Sequence, residues 1–201
     1  GLTSAQVDDF FNVENPEKIL KAYFELKKEG KIPLRINLQM RIPSKEKIKE
    51  FNERGIITGY GDEYFKIGAV KLVLDGSLGA RTAALKEGYN DKKSITGKKL
   101  YKQEVFNEIC EFAKNKGFQL AVHAIGDKAI EMALNGFEYT YENAKESREH
   151  RPIIVHAQVS NKKLNKKMKK LGIIAAIQPV FLRSDWSIIE NRLGKNRAKM
   201  S

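Results

Sequence analysis

Apolar residues recur at helical spacing in several segments of the chain, and each segment ends at a glycine followed by a strand-like run. The stretch 15–30 shows this unit clearly. Asn15 is placed to cap a helix, Pro16 suits its first turn, and Gly30 can end it. The next ten residues, KIPLRINLQM (31–40), have the apolar character of a strand. The pattern therefore predicts a helix that leads directly into a strand.

The same order returns twice, at Gly117 before FQLAVHAIGD and at Gly172 before IIAAIQPVF. Further helices are predicted over 45–53 and 128–143, and further strands over 70–75 and 152–158. Strands that alternate with helices of about 10 to 16 residues favour right-handed βαβ units and a parallel sheet. The fold class is therefore α/β, as a barrel or an open sheet. The chain lacks a glycine-rich phosphate-binding turn between its first strand and a helix, which favours the barrel.

Composition limits the function and the location. The 201 residues are enough for one domain, and 37 Lys and Arg against 25 Asp and Glu give a net charge of +12. Much of the excess lies in NKKLNKKMKKLG (161–172), where Leu164, Met168 and Leu171 keep helical spacing, so we interpret the lysines as a solvated outer face. Cys110 is the only cysteine, which excludes an intrachain disulfide and a Cys-based metal site. With no long apolar run and no signal-peptide pattern, we expect a cytoplasmic protein without a membrane partner.

Three polar residues interrupt the predicted strands. In GAVKLVLDGSLG (68–79), alternation places Lys71 on the same face as Asp75. His123 and His156 each lie near the carboxyl end of their strand, and in a barrel these ends converge on one mouth. The alternatives are hydrogen-bonded core histidines and a lysine that reaches the rim or pairs with Asp75. A free ammonium would be repelled by a metal ion, whereas a lysine carbamate is an anion that can bridge two ions.

Four motifs resemble those of a known family. They are VKLVLDGSLGARTAAL (70–85), AVHAIGDKAIEMAL (121–134), RPIIVHAQ (151–158) and IQPVFLRSDW (177–186). In this order they resemble the amidohydrolase superfamily, in the branch of N-substituted formamide deformylase-like and YtcJ-like hydrolases (amidohydrolase family 3), and the resemblance covers residues 1–201. It implies a distorted TIM barrel of the metallo-dependent hydrolase type. It also implies one or two divalent ions, with zinc expected, that activate water to cleave an amide-like, non-peptide carbon–nitrogen bond of a small molecule.

The resemblance also implies roles for individual residues. Lys71 matches the strand-4 lysine that is often carbamylated, and His123 and His156 match the strand-5 and strand-6 histidines, so all three are expected metal ligands. The expected substrate-binding residues are Asp75, Ser77 and Arg81. A turn-forming role for Asp75 and Ser77 is the alternative. Asp127 is interpreted as a helix cap, and Gln158 and Gln178 are left without a role.

The chain also departs from the family pattern. It has no His-x-His pair, and no match to the strand-8 aspartate, so its catalytic residue stays unassigned. Because a full barrel takes about 250 residues, we interpret residues 1–201 as a central segment covering about strands 2 to 7, without the β-sandwich, strand 1 and strand 8. We expect this segment to bind metal weakly or not at all, and not to hydrolyse substrate. Its open sheet edges suggest self-association into a homo-oligomer.

Two other function classes stay open from the residues alone. A barrel aldolase or isomerase could form a Schiff base between Lys71 and a carbonyl substrate. A basic nucleic-acid-binding domain would account for the charge of +12, but the chain has no recognisable nucleic-acid motif.

Overall fold

The computed structural model describes residues 1–11 and 13–199 as an alternation of strands and helices. The strands are β1 (Ser4–Val7), β2 (Arg35–Met40), β3 (Phe65–Val73), β4 (Leu120–Ala124), β5 (Ile153–His156) and β6 (Ile174–Ala176). The helices are α1 (Pro16–Lys28), α2 (Lys45–Glu53), α3 (Gln103–Asn115), α4 (Asp127–Thr140), α5 (Ala144–His150), α6 (Lys162–Leu171), α7 (Phe181–Ser184) and α8 (Trp186–Ala198). The strands follow chain order in one sheet, and β1 with β2, β2 with β3 and β5 with β6 pair in parallel. The predicted parallel α/β class is confirmed.

Local capping signals located several helix boundaries correctly. The side chain of Asn15 accepts a hydrogen bond from the N–H of Glu17, and Pro16 is the first residue of α1. Helix α2 has the predicted bounds of 45–53. Helix α6 ends at Gly172, whose φ of +72° is the left-handed conformation that glycine adopts without strain.

Other predicted boundaries were wrong. The helix predicted over 128–143 is α4, which ends at Thr140, and the separate helix α5 follows it. The cap assigned to Asp127 was also wrong: Gly126 is the N-cap of α4, and the Asp127 carboxylate accepts the N–H of Lys86 instead. Strand β3 begins five residues earlier than predicted and ends before Asp75. The last predicted strand is reduced to the three residues of β6.

The described chain divides into two compact units, of which the first contains Gly1–Leu72 and Phe112–Ala121. Its core is built around Phe65, which is fully buried at the start of β3. The ring of Tyr23 from α1 stacks on Phe65 with centroids 4.8 Å apart, and Phe24 meets it edge-on at 5.3 Å. Helix α1 is therefore held to the sheet by aromatic contacts.

The second unit contains Val73–Glu111 and Val122–Ser201, and its core includes part of a long loop. The buried members of this core cluster are Leu78, Ala83, Leu85, Tyr89, Ile125, Val159 and Leu193. Four of them belong to the irregular segment 74–102. The phenol of Tyr89 donates to the backbone oxygen of Ala83 at 2.9 Å. The conformation of the loop is therefore stabilised by buried apolar side chains and by a buried hydrogen bond.

Arginine side chains donate hydrogen bonds to backbone oxygens of the same loop. The guanidinium of Arg197 donates to the backbone oxygens of Glu87 and Gly88, at 3.2 and 2.8 Å. Arg192 donates in the same way to the oxygen of Gly79. Both arginines come from α8, so this helix closes over the loop. Within the described residues, no helix has the length and apolar character needed to cross a membrane.

A close backbone approach makes Gly126 hard to replace. A Cβ at Gly126 would lie 2.0 Å from the backbone oxygen of Ala84, whereas one at Gly79 would meet only the Cδ1 of Ile188, at 3.5 Å. We expect Gly126→Ala to lower the free energy of unfolding by about 1 to 3 kcal/mol because the loop must move. Gly79→Ala, the matched control, should change it by less than about 0.5 kcal/mol. Urea unfolding of the two variants checks this, and equal stabilities would contradict the close approach.

Candidate functional site

Asp75 lies just after β3, and its buried carboxylate accepts three backbone N–H groups. Oδ2 accepts from Ala84 at 2.9 Å and from Gly126 at 2.8 Å, and Oδ1 accepts from Ile125 at 3.0 Å. Hydrogen bonds to an ionised acceptor are about twice as strong as neutral ones. One side chain therefore ties the loop after β3 to the start of α4. This geometry favours the structural alternative for Asp75, and its substrate-binding role stays a prediction.

His123, on β4, is oriented by two oxygen atoms. Its Nε2 lies 3.0 Å from the backbone oxygen of Gly76 and 3.2 Å from Oδ1 of Asp75. A backbone carbonyl oxygen has no proton to give, so Nε2 donates to Gly76. In a neutral ring the other nitrogen, Nδ1, then carries the lone pair. His123 is thus set to accept a hydrogen bond or to bind a metal through Nδ1.

The structure brings His156 next to His123. Their ring centroids are 4.6 Å apart, with the planes at 77°. His156 ends β5 with a φ of +77°, and Ala157 follows with a φ of +49°. Two successive residues other than glycine in the left-handed region are uncommon, and such backbone strain concentrates at functional sites. The ring of Phe181 stacks on His156 at a centroid distance of 5.5 Å.

Lys71 lies in the first unit, in the middle of buried β3. Only 6% of the residue is exposed, and its Nζ donates to Oε1 of Gln39 at 3.1 Å. Burial lowers the pKa of Lys71; the carboxylate of Asp8, 3.9 Å away, opposes this shift, and the nearby charge of Arg41 adds to it. A larger fraction of this amine is therefore neutral than for an exposed lysine. That Lys71 acts together with His123 and His156 stays a prediction.

The other two predicted substrate residues have partners inside the loop. Oγ of Ser77 accepts from the N–H of Ala80 at 3.3 Å, which is a turn-forming contact. The guanidinium of Arg81 donates to both carboxylate oxygens of Asp91, at 3.2 and 2.7 Å, and Arg192 also pairs with Asp91. The substrate-binding roles of Ser77 and Arg81 stay predictions.

A pocket of about 620 Å³ opens beside His156 in the second unit. Its walls include the apolar side chains of Met168, Ile177 and Phe181 and the amide of Gln178. The pocket is therefore largely apolar with a few polar groups, as is usual for small-molecule sites.

Sequence reasoning missed the contacts that position the predicted ligands. Gln39 and Asp8 approach Lys71, yet neither was singled out. Gln39 carried a signal, because it is a polar residue near the end of an apolar strand. Gln178 was noticed but had no role, and its Oε1 lies 2.7 Å from Nδ1 of His156.

The described side chains provide only part of the ligand set that a catalytic metal ion requires. Across residues 1–11 and 13–199, no three His, Cys, Asp or Glu side chains are grouped to hold a metal ion. The two imidazoles nevertheless fit a zinc ion, which readily takes nitrogen ligands. They supply fewer protein ligands than the three of a usual catalytic zinc site.

Parallel strands, with neighbouring histidines near the ends of β4 and β5, define an α/β protein with a candidate ligand-binding site in its second unit. Comparison with known proteins gives the family. The chain belongs to the amidohydrolase family, whose sequence model matches residues 1–201. It is 34% identical to "Putative amidohydrolase YtcJ" of Bacillus subtilis (strain 168) over 200 residues, which are 99% of this chain and 36% of that protein. It is 35% identical to "Protein LONG AFTER FAR-RED 3" of Arabidopsis thaliana over 136 residues, which are 68% and 23% of the two chains.

A solved structure is also similar. An uncharacterized metal-dependent hydrolase from Pyrococcus furiosus matches with a TM-score of 0.79 and 36% identity, over 92% of this chain and 36% of that one. The chain thus spans about a third or less of the length of these relatives. The family resemblance predicted from the four motifs is confirmed.

The Asp75 contacts predict a large effect of a small substitution. In Asp75→Asn one acceptor oxygen becomes an amide that faces N–H donors, so we expect the free energy of unfolding to fall by about 2 to 3 kcal/mol. Asp127→Asn makes the same change at a more exposed site and should cost less than about 1 kcal/mol. Urea unfolding followed by circular dichroism compares them. Equal losses would show that the three hydrogen bonds are not important for stability.

The pairing of Asp91 predicts a dependence of stability on pH. The hydrogen bond from Arg81, with the charges of Arg192 and Arg81, lowers the pKa of Asp91 to about 2. Because this folded-state pKa lies below the unfolded value, the stabilisation is fully present above about pH 4 and is lost as the pH falls towards about 2. We therefore expect the stability difference between the wild type and Asp91→Asn to shrink across this range. Melting temperatures measured at several pH values test this, and a constant difference would contradict it.

Proposed function

We propose that this chain forms part of the catalytic domain of a metal-dependent hydrolase that cleaves carbon–nitrogen bonds of amide-like, non-peptide small molecules. The pairing of His123 and His156 at the ends of β4 and β5, within a member of the amidohydrolase family, is the observation that carries the proposal. The similarity to a metal-dependent hydrolase of known structure supports it. In this proposal, β1 to β6 correspond to strands 2 to 7 of a barrel.

Zinc is the proposed metal. Nδ1 of His123 is the nitrogen left with a lone pair by the contacts of Nε2, and His156 would provide the second imidazole. When bound, a divalent ion lowers the pKa of water and polarises a carbonyl oxygen. The two rings of this chain would hold such an ion.

Lys71 is the proposed third ligand, as a carbamate. Its neutral amine would attack the carbon of CO2, so that a nitrogen–carbon bond forms, a carbon–oxygen π bond breaks, and one proton leaves to solvent. The product carries a negative charge that suits a cation. The lowered pKa of Lys71 supports this step because only the neutral amine reacts.

The pocket beside His156 supports a substrate with an apolar group next to its amide-like bond. Among the three candidate substrate residues, Ser77 has the most exposed side chain. Its Oγ accepts from the N–H of Ala80, and its hydroxyl proton can still be donated. We therefore propose that Ser77 contacts the substrate. Family membership does not favour the Schiff-base enzyme or the nucleic-acid-binding domain.

Zinc titration of single-histidine variants tests the ligand assignment. With no group of three His, Cys, Asp or Glu side chains among the described residues, we expect the 201-residue chain to bind Zn²⁺ weakly and to show no hydrolysis of N-formyl amides. His123→Ala and His156→Ala should each lower the zinc affinity by about tenfold or more. His150→Ala, which removes the third histidine, should leave it unchanged. Equal affinities in all three variants would rule out the proposed ligands.

Carbon-13 NMR with labelled bicarbonate tests the carbamate. We expect a weak carbamate signal without zinc and a stronger one when zinc is added, because a cation stabilises the anion. Lys71→Arg should abolish the signal. Lys66→Arg, at an exposed position of the same strand, should retain it. A signal that survives in Lys71→Arg would contradict the assignment.

A further inference from the structure

We propose that Gln178 is a positioning residue that fixes the tautomer of His156. Its amide oxygen holds the proton of His156 on Nδ1, which makes Nε2 the nitrogen with the lone pair. Use of that lone pair by a metal rests on the proposed function. The tautomer itself does not.

The contact between the two side chains determines where the proton lies. Oε1 of Gln178 and Nδ1 of His156 are 2.7 Å apart, a short hydrogen-bond distance. An amide oxygen has no proton to give, so Nδ1 must donate. In the neutral ring only one nitrogen carries a proton, and the hydrogen bond made by that nitrogen decides which one it is.

The segment that carries Gln178 also holds the face of the ring. Gln178 follows β6, and its backbone oxygen accepts the N–H of Phe181 at 3.0 Å, which forms a turn. This turn brings the ring of Phe181 onto His156, with the planes 19° apart. Rotation of the imidazole would break the hydrogen bond at its edge and the stacking on its face. One short segment therefore fixes both the orientation and the tautomer.

The backbone conformation at His156 also restricts the orientation of its side chain. His156 and Ala157 both have positive φ, and the N–H of Ala157 donates to the oxygen of Ala124 at 3.1 Å. A strained conformation persists only where its surroundings hold it. The imidazole of His156 is therefore restrained by its own backbone conformation, by the hydrogen bond at its edge and by the stacking on its face.

The neighbouring ring has the opposite arrangement. His123 donates through Nε2 to the oxygen of Gly76 and keeps its lone pair on Nδ1. His156 donates through Nδ1 to Gln178. The two histidines therefore carry their lone pairs on different nitrogens, Nδ1 in one ring and Nε2 in the other. In each ring, the oxygen that accepts from the protonated nitrogen determines which nitrogen this is. Such oxygen partners raise the basicity of metal-binding imidazoles and orient them.

The tautomer can be read directly by NMR, without a metal. The chain has three histidines, so a long-range proton–nitrogen correlation spectrum of nitrogen-15-histidine-labelled protein contains three ring patterns. His150→Gln and His123→Gln assign them. At a pH high enough for the rings to be neutral, we expect the Nδ1–H form for His156 and the Nε2–H form for His123. An Nε2–H form of His156 in the wild type would overturn the proposal.

Two substitutions at one position separate the hydrogen bond from packing. Gln178→Leu keeps a side chain of similar size without an acceptor, so the Nδ1–H population of His156 should fall by about twofold or more. Gln178→Glu keeps an acceptor that cannot donate, so the Nδ1–H form should persist. An unchanged tautomer in Gln178→Leu would overturn the proposal, as would a loss of the Nδ1–H form in Gln178→Glu.

Gln158→Leu is the matched control. Gln158 is also a glutamine near His156, but its amide donates to Asp185 at 2.7 Å, so the tautomer of His156 should not change. In a separate arm, zinc affinity should fall by about 10- to 100-fold in Gln178→Leu and less in Gln178→Glu. If neither the wild type nor any variant binds zinc while the tautomers behave as expected, the assignment of the two histidines as zinc ligands in this chain fails and the role of Gln178 stands.

Discussion

The carboxylate of Asp75 is the constraint on which the second unit depends. Segment 74–102 has almost no regular structure, and its first residues are tied to Ala84 and to the start of α4 by this one side chain. Helix α4 has no side-chain cap of its own. The backbone oxygen of Ala84 accepts the N–H of Lys128 in its first turn, and Asp75, which also holds Ala84, accepts the N–H of the N-cap residue Gly126. The same carboxylate lies against Nε2 of His123. The order of the loop and the orientation of the histidine therefore have a common origin.

The basic composition serves two physical purposes in this chain. The lysines of α6 lie on its outer surface, while Leu164, Met168 and Leu171 are buried, as the helical spacing predicted. The arginines of α8 instead satisfy backbone oxygens of the long loop, which would otherwise lack partners within regular structure. A guanidinium can reach several carbonyl oxygens with one planar group, which a lysine cannot. A net charge of +12 thus says little about partners until the roles of individual residues are known.

Sequence predicted the features that depend on near neighbours. Asn15 and the bounds of α2 were correct because a cap and its helix lie within a few residues. Asp127 was misread because the groups that hold the start of α4, the Asp75 carboxylate and the backbone oxygen of Ala84, lie 52 and 43 positions before it and reach the helix only through the tertiary fold. The early start of β3 was missed for a similar reason. Gly68 interrupts the apolar run, but a Cβ there would lie 2.1 Å from Oδ1 of Asn37 on the neighbouring strand.

At the candidate site too, sequence predicted which residues are candidates but not the contacts that set their chemical state. Strand position and family motifs were enough to select Lys71, His123 and His156, because residue type and chain order are properties of the sequence. Their chemical state depends on partners from other elements. Burial disfavours the Lys71 ammonium, while Asp8 favours it, and the same carboxylate would repel a carbamate on that lysine. The charge of Arg41 opposes this repulsion, and a bound metal ion would stabilise the carbamate further. Carbamate formation and metal binding should therefore be thermodynamically linked.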